Sequence, residues 1–151
     1  MRFSRLSFSG ARRWAGVLLL GVFASAAQAQ DGDYVDPPGR IAYLSDSAGR
    51  VSFSPAGDDA WLDVHRNRPL IPGDRLWIDR DARAEVQVGS AFLRLGSESA
   101  FEILALDDEF AQFELTEGVL QLNVRRLLRG QAYEIATPNL AFVVDRVGRY
   151  R

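Results

Sequence analysis

No cysteine and no lysine occur in the 151 residues of the chain, and histidine occurs once. Without cysteine there is no disulfide framework, no thiolate nucleophile and no thiolate metal site. With one histidine, His65, any catalytic dyad or triad that needs an imidazole has to use that residue. It sits in the polar stretch Asp63-Val64-His65-Arg66-Asn67-Arg68, and no Gly-x-Ser-x-Gly elbow is present to supply a nucleophile. The expectation is a solvated loop histidine. All 18 basic residues are arginine. A guanidinium suits bidentate binding of carboxylate or phosphate, but the arginines are spread along the whole chain, as a bias in codon usage would spread them.

Long apolar runs are also scarce. The longest, Trp14 to Ala24, follows Arg2, Arg5, Arg12 and Arg13 and precedes Ala27-Gln28-Ala29. A basic start, a short apolar centre and a small-x-small end form the pattern of a secretory signal peptide. The run is too short to cross a hydrocarbon core of about 30 Å comfortably, and nothing later approaches the ~18 apolar residues of a spanning helix. The expectation is a cleaved signal over residues 1–29, a mature chain without a transmembrane segment and a periplasmic location. Secretion without cysteine fits the periplasm better than a disulfide-rich extracellular setting. The signal removes four arginines and no acid, which leaves 14 basic against 20 acidic residues, a formal charge of −6. Such a chain has no overall attraction for nucleic acid, and no nucleic acid partner is expected.

What is present is the composition of one folded domain, 47% hydrophobic and 25% charged. Residues 30–39 include the acidic, turn-rich Asp31-Gly32-Asp33 and Pro37-Pro38-Gly39 and read as a flexible lead-in. From Arg40 onward the dominant pattern is alternation. Ala84, Val86 and Val88 alternate with polar neighbours, as do Leu120, Leu122 and Val124; Ala91, Leu93 and Leu95 form one face of another run. Period two is the signature of a half-buried strand. Turn signals such as Pro72-Gly73-Asp74, Gly89-Ser90, Glu117-Gly118 and Pro138-Asn139 separate these runs. The reading is an all-β domain over residues 40–151, an antiparallel sheet-rich roll or sandwich. Leu70-Ile71, bracketed by Pro69 and Pro72, is restricted to an edge or an extended connection. Phe101 to Phe110 and Leu122 to Leu128 admit a helical turn but are read as strand.

Chemistry-bearing residues are few. The acids Asp58-Asp59, Asp79 with Asp81, and Asp107-Asp108-Glu109 lack the ligand spacing of a calcium loop. They read as turn residues facing water. No metal or cofactor is expected. Trp77, in Leu76-Trp77-Ile78, reads as core, whereas Trp61 suits either a core position or an exposed stacking platform for a sugar. Arg125, Arg126 and Arg129 form the one dense basic cluster, a candidate contact for an anionic polymer, a headgroup or a partner, against the plainer reading of a solvated strand end.

The order of the pieces resembles a known family. Gly49-Arg50-Val51 is followed by Pro69-Leu70, Gly73-Asp74-Arg75-Leu76, Arg83-Ala84-Glu85-Val86 and Arg94-Leu95-Gly96. Leu115-x-x-Gly118-x-Leu120, Tyr133-Glu134-Ile135-Ala136-Thr137-Pro138-Asn139 and Gly148-Arg149-Tyr150-Arg151 complete the set. Over about Gly39 to Arg151 this is similar to the FecR-type periplasmic domain, in its secreted proteobacterial form. The resemblance implies an all-β domain that binds, senses or acts as a scaffold in the envelope without catalysis, with an envelope protein or a glycan as partner. It supplies no catalytic residues. The sigma-regulating and transmembrane segments of the iron-transport branch have no counterpart here, so control of a sigma factor is not carried over. Family members usually continue with further strands beyond the Gly-x-Tyr-Arg position, so the resemblance also implies a C-terminally truncated domain. The alternative function is an enzyme acting on envelope carbohydrate through paired carboxylates, Asp107 and Asp108 among them.

Overall fold

A computed structural model describes residues 40–151. The signal peptide expected over 1–29 and the lead-in over 30–39 lie outside the described residues. Within them the alternating sequence becomes thirteen strands and no helix. One sheet contains β1 (Ala42–Ala48), β4 (Pro69–Leu70), β6 (Arg83–Val88), β7 (Ala91–Leu95), β10 (Leu120–Val124) and β13 (Gly148–Tyr150), in the order β13-β10-β7-β6-β1-β4. The other contains β2 (Val51–Ser54), β3 (Leu62–Asp63), β5 (Arg75–Ile78), β8 (Ser99–Leu106), β9 (Phe110–Glu117), β11 (Ala132–Ala136) and β12 (Ala141–Val144), in the order β12-β11-β9-β8-β5-β2-β3. The all-β fold is therefore a two-sheet sandwich.

Register explains how the core is filled. In the first sheet Leu44, Val86, Leu93, Leu122 and Tyr150 stand opposite one another across five strands. In the second, Ile103, Phe113 and Ile135 form a matching row, which ends at the half-exposed Phe142. Because side chains leave a strand on alternate faces, each row gathers apolar groups on one side only. The two inner faces join in a single cluster, with Phe101 and Phe113 stacked 5.6 Å apart inside it. Burying one such side chain contributes roughly 1.5–3 kcal/mol.

The chain repeatedly passes from one sheet to the other, and at two of these corners a glycine is pressed against the backbone of a neighbouring segment. Between β1 and β2, Gly49 has φ +76°, and a Cβ there would lie 2.8 Å from the Ala82 Cα. Between β9 and β10, Gly118 has φ +95°, and a Cβ would lie 2.6 Å from the Ser99 Cα. Both corners need the left-handed backbone and leave no room for a side chain. A third junction is tied by Asp74, which is buried. Its carboxylate accepts the N–H groups of Ala56 and Ile71, each at 2.9 Å, and its carbonyl accepts that of Ile103 at 3.1 Å.

Three details depart from the sequence reading. Trp77 is not core: alternation sends its neighbours Leu76 and Ile78 inward and leaves Trp77 half-buried on the outer face. The strand read through Leu128 ends at Val124, where the Arg125 N–H turns to the Ser90 carbonyl and the Ser90 hydroxyl donates to the Arg126 carbonyl. One pairing is parallel, β11 beside β9, because the intervening β10 lies in the opposite sheet. The segment 101–110 does form strand up to Leu106, and Leu70 lies on an edge strand as expected.

Candidate functional site

Two surface features gather groups able to hold a ligand. The first lies on the outer face of the second sheet. Arg75, at the start of β5, donates through Nη2 to the Ser54 hydroxyl at 2.9 Å, the Asp58 carbonyl at 2.7 Å and the Asp59 carboxylate at 3.2 Å. Fixed in this way, its guanidinium sits 5.7 Å from the centre of the Trp61 ring, which is 49% exposed. A cation–π contact at such a site is worth about 0.5–1 kcal/mol. It steadies an indole that would otherwise swing freely at the end of the loop. Below the ring is a cleft of about 130 Å³, bordered by Trp77, Ala100, Glu102, Glu114 and Thr116. Ala100 stands opposite Trp77, so its small side chain opens the cleft. Glu102 stands directly opposite Glu114 across β8 and β9. An exposed aromatic face beside two carboxylates can stack on the apolar side of a sugar and accept from its hydroxyls.

The second feature is a groove of about 570 Å³ at the β6–β7 hairpin, lined by Arg40, Ser90, Phe92, Arg125, Arg126 and Tyr133, among others. Arg125 lies over the Phe92 ring at 4.3 Å, and Arg126 is exposed beside it. Arg40 is 8% exposed. Its Nε donates to the Asp107 carbonyl at 2.7 Å, its backbone N–H donates to the Asp108 carboxylate at 3.1 Å, and its guanidinium carbon lies 5.1 Å from the centre of the Tyr133 ring. The terminal nitrogens Nη1 and Nη2 are buried and have no hydrogen-bond partner among the described residues. Leaving a buried donor unsatisfied costs about 1–3 kcal/mol, more when it is charged. Arg129 does not join this groove. It stands on an exposed turn that lines a separate surface hollow with Leu127, Asp145 and Arg146.

Three of the acidic groups serve local backbone. Asp58 accepts the Ala60 N–H at 2.9 Å and Asp79 that of Arg80 at 2.8 Å. The Asp107 carboxylate accepts the N–H groups of Phe110 at 2.7 Å and Glu109 at 2.8 Å. These two bonds, Phe110's the stronger influence, lower its pKa, and the Arg40 charge adds slightly in the same direction. His65 is exposed. Among the described residues, no three His, Asp or Glu side chains converge as a metal site would require.

Of the residues singled out in the sequence, Trp61 is exposed, Arg125 and Arg126 share a groove, and Arg129 stands apart. Arg40 was missed as a site residue. Its partners Asp107 and Asp108 lie 67 and 68 positions away, and no local pattern signals such a contact. The Glu102–Glu114 pair was missed because it depends on the pairing of β8 with β9. No family model, curated protein or solved structure matches the chain.

Proposed function

We propose that this chain is a non-enzymatic binding module of the cell envelope, of FecR type and exported to the periplasm, that takes cell-wall glycan on its Trp61 face. The export pattern of the first 29 residues and the ordered motifs from Gly49 to Arg151 support the location and the family. The observation that carries the binding reading is Trp61, half-exposed and braced by Arg75 above a cleft bordered by Trp77, Glu102 and Glu114. A rigid ring already in place loses little conformational entropy on binding.

The test is cosedimentation of the purified protein with peptidoglycan sacculi, alongside an assay for released reducing sugar. The chain is expected to pellet with the sacculi, Trp61→Ala to weaken retention about tenfold, a loss of roughly 1.4 kcal/mol, and His65→Ala to bind as the parent does. Retention unchanged in Trp61→Ala removes the glycan reading. Release of soluble sugar that stops in Glu102→Gln or Glu114→Gln makes the protein an enzyme instead.

A further inference from the structure

We infer that the groove around Arg40 is an oxyanion site, built to receive a carboxylate or phosphate group between Arg40, Arg125 and Arg126. The inference is independent of the glycan reading, because the Trp61 face and the Arg40 groove share no lining residue.

The first support is the state of Arg40. A guanidinium offers five N–H donors and has no neutral form to retreat to at any ordinary pH. Here the single Nε donor is used and the four on Nη1 and Nη2 are not, although the side chain is more than nine-tenths buried. Burying a cation with most of its donors idle is unfavourable unless something accepts from them. The nearest carboxylates are already engaged. Asp107 turns its oxygens to the Glu109 and Phe110 amides, and Asp108 accepts from the Arg40 backbone.

The second support is the wall opposite. Arg125 is held over Phe92, and the Ser90 carbonyl and hydroxyl pin the backbone of Arg125 and Arg126, so neither strand end drifts. Three arginines thus line one groove, Arg125 and Arg126 at its surface and Arg40 buried in its wall, in a molecule whose residues after the signal carry a net −6 (14 basic against 20 acidic). Charges of like sign gathered in one place repel, and an oxyanion that accepts from all three removes the repulsion and the idle donors together. Phe92 and Tyr133 add apolar walls, so the anion fits best as the end of a larger molecule.

The experiment is a titration of the full chain followed by amide and arginine Nε–Hε NMR shifts at constant ionic strength. The probes are inorganic phosphate, acetate and, as a control, chloride. Saturable shifts at Arg40, Arg125, Arg126 and Ser90 with phosphate or acetate, absent with chloride, are expected. Arg125→Gln and Arg126→Gln should each weaken binding about tenfold, while Arg129→Gln, outside the groove, leaves it unchanged. These exposed positions keep the test decisive if Arg40→Gln fails to fold. Vesicles containing phosphatidylglycerol distinguish the source of the anion. Binding to vesicles that phosphate displaces supports a headgroup, and binding of phosphate or acetate without vesicle binding supports a soluble ligand. Shifts equal to those with chloride, or affinity unaltered in both Arg125→Gln and Arg126→Gln, overturn the inference.

Discussion

Two aspartates do related work in opposite surroundings. Asp74 is buried and holds the Ala56 and Ile71 amides of two separate loops, whereas Asp107 is exposed and its carboxylate holds the amides of its own turn. Backbone donors to a carboxylate favour its charged form, and at Asp107 they lower the pKa from its ordinary value. A lowered folded-state pKa stabilises the fold above the unfolded carboxylate value, about 3.9. That contribution disappears as the pH falls through the folded value. Asp107→Asn keeps an acceptor oxygen but loses the titration. Urea midpoints followed from neutral pH into acid should therefore fall less steeply for Asp107→Asn than for the parent, and parallel curves would show that the turn is indifferent to the charge.

At the level of strands and corners, Gly118 is the sharpest case. Alanine there places a methyl 2.6 Å from the Ser99 Cα at φ +95°, while at Gly57, φ +74°, a methyl meets nothing within 4 Å. Gly57→Ala should cost only the left-handed backbone penalty, about 1–2 kcal/mol. Gly118→Ala should cost more, since β8 and the β9–β10 corner also have to separate. Urea denaturation of both variants makes the comparison, and equal losses would mean the corner relaxes freely. Much of this architecture was legible beforehand. Leu120, Leu122 and Val124 alternate because one face is buried, and Gly118 precedes them because the chain turns there. The parallel β9–β11 pairing was not legible, since alternation tells which side a residue faces and not which strand lies beside it. The same limit hid Trp77, whose size suggested the interior while its place between Leu76 and Ile78 put it outside. It also hid the candidate sites in part. Trp61 and the Arg125–Arg126 pair stand out locally, but Arg40, Glu102 and Glu114 acquire their roles only from distant partners.

At the largest scale, residues 40–151 are laced rather than stacked. After Arg129 the chain adds β11 and β12 to one sheet and β13 to the other, so the last segment pairs with β9 on one side and with β10 on the other. Arg129 and Gly130 form an exposed turn just before it. A single tryptic cut after Arg129 should therefore leave two pieces that co-migrate on a native sizing column and part only in denaturant, with mass spectrometry confirming the cut. Pieces that separate in plain buffer would show that the crossings do not clasp the layers. If they hold, the protein survives a nicked backbone, and its wholeness resides in the weave rather than in the continuity of the thread.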